Sequence, residues 1–217
     1  MQLESIQHEH MLAYVRERLI LNQGEKCDHG AFPFRTRSEH IRRVYAWAQR
    51  LISDEMNINR EALLTAAIFH DSGYGMLSEK MNHAEQGAIE CELYLRANGY
   101  HEDFINFVIY MVRNHSTKAM LTLEDTPLEL ILLMEADWMD ETGALSIVWD
   151  CMMEGSKETQ TFENTYEHIK NYTLRDMNRN PMVTPKAKAL WQNKRDLVDA
   201  FIEHLAFDLG MEEIKPK

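Results

Sequence analysis

The chain has little of what would cross-link it, divide it or hold it in a membrane. Its 217 residues include three cysteines, Cys27, Cys91 and Cys151, which are odd in number, far apart and in no CxxC pair. They read as free thiols of a reducing compartment, which excludes a disulfide framework and a thiolate zinc site. Nine glycines and five prolines supply no linker, and no internal repeat aligns. Nowhere do about 18 uninterrupted apolar residues occur, the length a membrane-spanning helix needs. The opening segment MQLESIQHEHMLAYVRERLI has neither a basic leader nor an apolar block of signal-peptide length, so a cytoplasmic location is expected. Positive charge is also short, with 23 Lys and Arg against 35 Asp and Glu and a net charge of −12. Such a surface repels nucleic-acid backbones, so neither nucleic acid nor membrane is expected as a partner. A small phosphorylated substrate would need metal ions or local cations to reverse the field at one site.

Helical periodicity is what the chain has in abundance. Tyr14–Ile20 belongs to a first amphipathic helix, followed by the loop NQGEKCDHGAFPF. Thr36-Arg37-Ser38-Glu39 has the form of a capping box, opening a helix with Ile41, Val44, Ala48 and Leu51 on one face and Trp47 beside them. Asn59 can cap a helix whose Leu63, Leu64, Ala67 and Ile68 lead to His70 and Asp71, with Gly73 and Gly75 as stops. Asn82 starts a helix with His83 in its first position, running to about Ala97. Phe104, Phe107, Val108 and Met111 mark another that ends at His115. Thr126-Pro127-Leu128-Glu129 combines a cap, a proline at N1 and a glutamate, opening a helix to Asp137. Helices near 144–153 and 160–178 precede Thr184-Pro185 and a last helix carrying Leu190, Leu197, Phe201, Leu205 and Leu209. No segment alternates with period two, so the class is all-α. The four tryptophans, Trp47, Trp138, Trp149 and Trp191, and the 14 methionines are expected as packing material.

Residues suited to metal binding share a positional habit. His40 and His83 lie in first turns, while His70, Asp71, His115 and Asp137 lie in last turns or just beyond. Helix ends are where side chains from several helices can meet without filling a packed core. A lone histidine at a helix end more often bonds a carbonyl, so it is the ordered set that carries weight. The segments RSEHIRRVYAWAQRL, AAIFHDSGYG and EADWMDETGALSI, in the order H…HD…D, resemble the HD-domain superfamily of metal-dependent phosphohydrolases, over about Arg35 to Trp149.

That resemblance implies a single all-helical domain over 1–217, with the HD core at about 35–149 and C-terminal helices 150–210 packed on it. It implies that His40, His70, Asp71 and Asp137 ligate one divalent ion. Asp71 would bridge to a second ion, and His83 and His115 match the extra histidines of dinuclear members. Neutral imidazoles with carboxylates suit Mn, Fe, Co, Ni or Zn better than calcium, and the family implies one or two ions, Mn, Mg, Fe, Co or Ni. The activity implied is hydrolysis of a small phosphate ester or anhydride, a nucleotide in particular, by metal-bound hydroxide. Asp71 would be the catalytic residue that fixes the ions and orients the water. Arg37, Lys80, Arg113 and Lys118 are the candidate phosphate contacts, Lys118 first because it follows His115 in a short loop. His29 lies in a loop before the capping box and is read as solvated.

Departures from better-defined subfamilies narrow the substrate. Ser72-Gly73-Tyr74-Gly75 follows the HD pair, without the acidic pair of the alarmone hydrolases. Tyr74 stands where cyclic-di-GMP phosphodiesterases have lysine and where the nucleoside monophosphate phosphatases have glutamate. ADWMDETGA is similar to a small bacterial group with DAD-x-LD-x-x-GA, some members of which are similar to nucleotide pyrophosphohydrolases. Here Glu135 replaces the first aspartate, and Trp149 and Asp150 stand near the place of a frequent arginine. Two other classes stay open: an HD-type diiron oxygenase, and a catalytically silent scaffold that binds a nucleotide or a partner protein. The sequence carries no signal for an oligomeric state.

Overall fold

The structure, a computed structural model, describes residues 2–25, 34–53, 56–74 and 81–211. Cys27, His29, Gly75 and Lys80, all named above, lie outside the described residues. No strand occurs among the described residues, and none of their helices is long and apolar enough to cross a membrane. The class is all-α, as the periodicity implies. The chain groups into two compact units, Met1–Asp137 and Trp138–Lys217.

The first unit contains α1 (Gln2–Leu21), α2 (Arg37–Leu51), α3 (Arg60–Phe69), α4 (His83–Ala97), α5 (Glu102–Asn114), a 3₁₀ turn (Lys118–Thr122) and most of α6 (Leu128–Met139). At its centre is α3, buried from Ala62 through Phe69 and in contact with α1, α2, α4 and α5. Ala62, Ala66 and Ala67 on this helix are small enough for neighbours to approach from every side. The buried stripe of α1 is His8, Met11, Leu12, Val15 and Leu19, the spacing of one helical face. Tyr14 and Tyr94 pack with their ring centroids 4.7 Å apart, and Phe69 lies 5.3 Å from Tyr94. Beneath them the buried Glu90 receives two hydrogen bonds from Arg18, each 3.0 Å, and one from the Tyr14 hydroxyl at 3.2 Å. A carboxylate so buried requires such partners.

Three of the predicted caps form: the Thr36, Asn59 and Asn82 side chains accept from the backbone N–H of Glu39, Ala62 and Glu85. Thr126 behaves differently. Its hydroxyl donates to the carbonyl of Met120 at 2.7 Å, tying the start of α6 to the 3₁₀ turn. Glu129 is then free of the expected box and accepts from Asn59 N–H at 2.7 Å, which joins the beginnings of α6 and α3.

The second unit contains α7 (Ala144–Gly155), α8 (Phe162–His168), a π-helical run (Ile169–Leu174), α9 (Arg175–Met177) and α10 (Pro185–Asp208). Thr184 caps α10 with Pro185 following, as predicted. The buried stripe of α10 is Ala187, Trp191, Val198, Ile202 and Ala206, one residue removed from the predicted row, and Leu197 is exposed. Two adjacent rows of this helix are apolar, and packing selects the one that carries Trp191, whose indole N–H donates to Met177 O at 2.8 Å. The other tryptophans, Trp47, Trp138 and Trp149, are only half-buried. Cys91 and Cys151 are free thiols, the first buried and the second exposed.

Candidate metal centre

Each of the six residues singled out at helix ends sits where helical geometry delivers it. His40 lies in the first turn of α2, behind the Thr36 cap, and His83 is the first residue of α4, behind Asn82. His70 and His115 immediately follow α3 and α5, and Asp137 lies in the last turn of α6. Residues 70–74 form a tight turn, with Ser72 N–H donating to Phe69 O and Tyr74 N–H to Asp71 O.

Gly73 does not serve as a helix stop. A Cβ there would stand 2.1 Å from His83 O and 2.4 Å from Gly87 N, so its lack of a side chain lets the turn press against the first turns of α4. Gly87, inside α4, faces Phe69 O and His70 O in return. This paired contact carries His83 to Asp71. Gly87 was not among the sequence candidates; a glycine inside a helical pattern is the signal that points to such an approach.

The side chains converge in two groups. In the first, His40 Nε2 lies 3.2 Å from His70 Nε2, 3.5 Å from Asp137 Oδ1 and 3.5 Å from Asp71 Oδ2. His70 Nε2 is 3.7 Å from the same Asp71 oxygen. In the second, Asp71 Oδ1 lies 3.6 Å from His83 Nε2 and 3.5 Å from His115 Nε2, and those two nitrogens are 3.3 Å apart. The carboxylate of Asp71 thus turns one oxygen to each group. His40, His70 and Asp137, and separately Asp71, His83 and His115, have the spacing of candidate metal-binding sets.

The donor chemistry fits a cation in each group. The Nδ1 of His70 donates to Ala67 O at 2.9 Å and that of His115 to Val112 O at 2.6 Å. Each of these Nδ1 atoms therefore carries a proton, and each Nε2 points inward, at the nitrogen of a second histidine. Burial pushes the His70 imidazole down to about 4, so it is neutral near pH 7, and burial also lowers His83. For Asp71 burial opposes ionisation, but His70, His115, Arg37 and His40 outweigh it and hold the carboxyl well below its usual range. Asp137 is lowered as well: against its burial stand the hydrogen bond from His40 and the Lys118 ammonium. Neutral nitrogens and ionised carboxylates are the forms in which these groups bind divalent ions.

Two of the four cationic candidates join the cluster. Arg37 donates to Asp71 Oδ2 at 2.8 Å, and Lys118 Nζ donates to Asp137 Oδ2 at 2.7 Å. Arg113 does not; its guanidinium forms a bidentate pair with Glu85 at the surface and has no described contact with the six residues. Tyr74, seen in the sequence only as a departure from other subfamilies, lies between Arg37 and His83.

Comparison with known proteins gives the same reading of the fold. The family model of the HD domain matches residues 37–142. That segment is an HD domain. Four of the ligand-type residues come from the first 47 positions of the matched HD segment, His40 to His83, and His115 and Asp137 fall inside it too. The chain is similar to an HD-superfamily hydrolase of Bacillus thuringiensis, with a TM-score of 0.68 and 21% identity over 96% of this chain and 100% of that one. Bacillus subtilis YpgQ, solved in complex with ADP, aligns with a TM-score of 0.61 and 20% identity over 94% of this chain and 96% of its own. The Lin1889 protein of Listeria innocua aligns at 0.58 and 17% identity, over 95% and 99%. Identities this low speak to the fold alone. No curated protein matches the sequence.

Proposed function

We propose that this HD-domain protein is a metal-dependent phosphohydrolase of a small phosphate ester or anhydride, with a nucleotide as the substrate class. The observation that carries the reading is Asp71, whose two carboxylate oxygens each face a separate pair of histidine Nε2 atoms. His40, His70, Asp71 and Asp137 would hold one divalent ion, and Asp71, His83 and His115 a second. Such ions supply Lewis acidity, which makes water nucleophilic at neutral pH and draws charge from a phosphoryl oxygen.

The remaining work falls to the chain's own groups. Ala67 O and Val112 O hold His70 and His115 in one tautomer and one orientation. Asp71, at the junction of both groups, would fix the ions and orient an attacking water. Arg37 and Lys118, each paired with a carboxylate of the cluster, would offer positive charge to the oxygens of a phosphoryl group, and bound divalent ions would reverse the local field on a chain of net charge −12. A nucleotide is favoured because a relative of the same fold, Bacillus subtilis YpgQ, was solved with ADP.

The test is a screen of purified protein loaded with Mn, Mg, Co or Fe against nucleotides and p-nitrophenyl phosphate. Phosphate release with at least one metal is expected. Full metal occupancy without turnover of any phosphate compound would reject the hydrolase.

A further inference from the structure

Three side chains close a ring of contacts with the Asp71 carboxylate. Arg37 Nη1 donates to Asp71 Oδ2 at 2.8 Å. The carbon of the same guanidinium lies 3.8 Å from the centre of the Tyr74 ring. Tyr74 stacks on His83, with ring centroids 4.6 Å apart and planes inclined by 23°. His83 Nε2 returns to the other Asp71 oxygen at 3.6 Å. The backbone holds this arrangement in register: Tyr74 N–H bonds Asp71 O, so the ring sits one turn beyond the carboxylate, and Gly73 brings that turn onto α4 beside His83.

The chemistry of the ring divides its labour. A guanidinium is attracted by the negative face of a phenol ring, and it stacks flat, leaving its N–H edge free of the ring. Held 3.8 Å over the ring centre while bonded to Asp71, the Arg37 guanidinium is restrained at both contacts from swinging away. An arginine side chain otherwise carries several freely rotating bonds, and ordering them on ligand binding weakens affinity. We propose that Tyr74 is a positioning residue that sets the site's preference for phosphoryl oxyanions, by holding the Arg37 guanidinium edge-on beside Asp71. The proposal rests on the phosphohydrolase reading in taking Arg37 as a phosphate contact. It also explains why an aromatic residue occupies the third place after Asp71: there it supports an arginine from α2 rather than reaching the substrate itself.

The experiment is calorimetric binding of inorganic phosphate to Mn-loaded protein, with Mn content and melting temperature measured for every variant. Tyr74→Leu is expected to weaken phosphate binding about tenfold, the size of a partly desolvated cation–π contact, with Mn content unchanged. In p-nitrophenyl phosphate hydrolysis it should raise KM by a similar factor and leave kcat nearly alone. Tyr74→Phe, which keeps the ring, should bind phosphate within about twofold of the parent. Arg37→Ala should lose affinity, and adding Tyr74→Leu to it should cost nothing more. Arg37→Lys, which keeps charge but not the planar fork, should resemble Tyr74→Leu and serves if the latter does not fold. Parent-like phosphate binding by Tyr74→Leu or Arg37→Lys overturns the proposal. So does a Tyr74→Leu loss that adds in full to that of Arg37→Ala, or one accompanied by loss of Mn. Phosphate binding that follows this pattern in a protein with no turnover would reject the hydrolase and leave the role of Tyr74 standing.

Discussion

Asp71 is the residue on which the candidate centre turns, because among the described residues it is the one side chain with an oxygen facing each group. Replacing it with alanine should therefore remove metal from both groups together, whereas His83→Ala should lower the bound metal by one equivalent, as metal analysis of the dialysed proteins would show. Equal losses in the two variants would mean that the groups are not separate sites. His70 leads to a prediction about acid. Its folded-state value of about 4 lies below the ordinary 6.5, so between those pH values the unfolded chain binds more protons than the folded one. Metal-free protein should lose stability as pH falls from 6.5 toward 4, by up to about 3 kcal/mol from this residue. His83, also lowered, acts in the same direction. Asp71 and Asp137 act elsewhere, since their depressed values add stability that is lost only below the unfolded carboxylate range, near 4. Urea titrations across this range would check the slope, and a flat profile would contradict it. The residues of the candidate centre were legible in the sequence because the ordered set H…HD…D is specific where a lone histidine at a helix end is not. Tyr74 was not legible, since an aromatic residue after a turn has no chemistry until its neighbours from α2 and α4 are in place.

Among the elements, the junction of the 70–74 turn with α4 decides whether the second group forms. Gly73→Ala would place a methyl group 2.1 Å from a backbone oxygen and 2.4 Å from a backbone nitrogen, neither of which can swing aside. The expected cost is about 1–3 kcal/mol or more of stability, the range for overpacking. The folded fraction should lose metal from the His83 group before the His40 group, read as a drop in metal equivalents alongside a lowered melting temperature. Helix starts were well read from sequence, because a cap is a local bond: Thr36, Asn59 and Asn82 each serve the backbone three residues on. Helix faces were read less well. On α10 the apolar residues fill two adjacent rows, and only contact with neighbouring elements decides that Val198 and Ile202 are buried while Leu197 is exposed. The π-helical run at Ile169–Leu174 likewise has no local sign. It occurs where Thr173 donates to the buried Asp150 and His168 reaches the buried Glu154 at 2.9 Å, tertiary bonds made from either end of the run.

At the scale of the whole molecule, all six candidate ligands belong to the unit formed by residues 1–137. A metal that binds only the folded state stabilises it by mass action, about 2.7 kcal/mol at a hundredfold excess over its dissociation constant. Mn should therefore raise the melting temperature of this protein, and Asp71→Ala should abolish the shift; a shift that survives in Asp71→Ala would place the metal elsewhere. The amino-acid sequence by itself determined the helical class and most of the caps, because both depend on spacing along a chain of fixed helical period, and its resemblance to the HD-domain pattern picked out the set of His and Asp residues. Which cations lie against the candidate ligands was decided only by tertiary structure. Arg37 and Lys118 reach the carboxylates of Asp71 and Asp137, while Arg113, two residues from His115, is held by Glu85 at the surface. A charged side chain long enough to reach several partners is committed to one by the packing of distant helices, and that choice has no local signature.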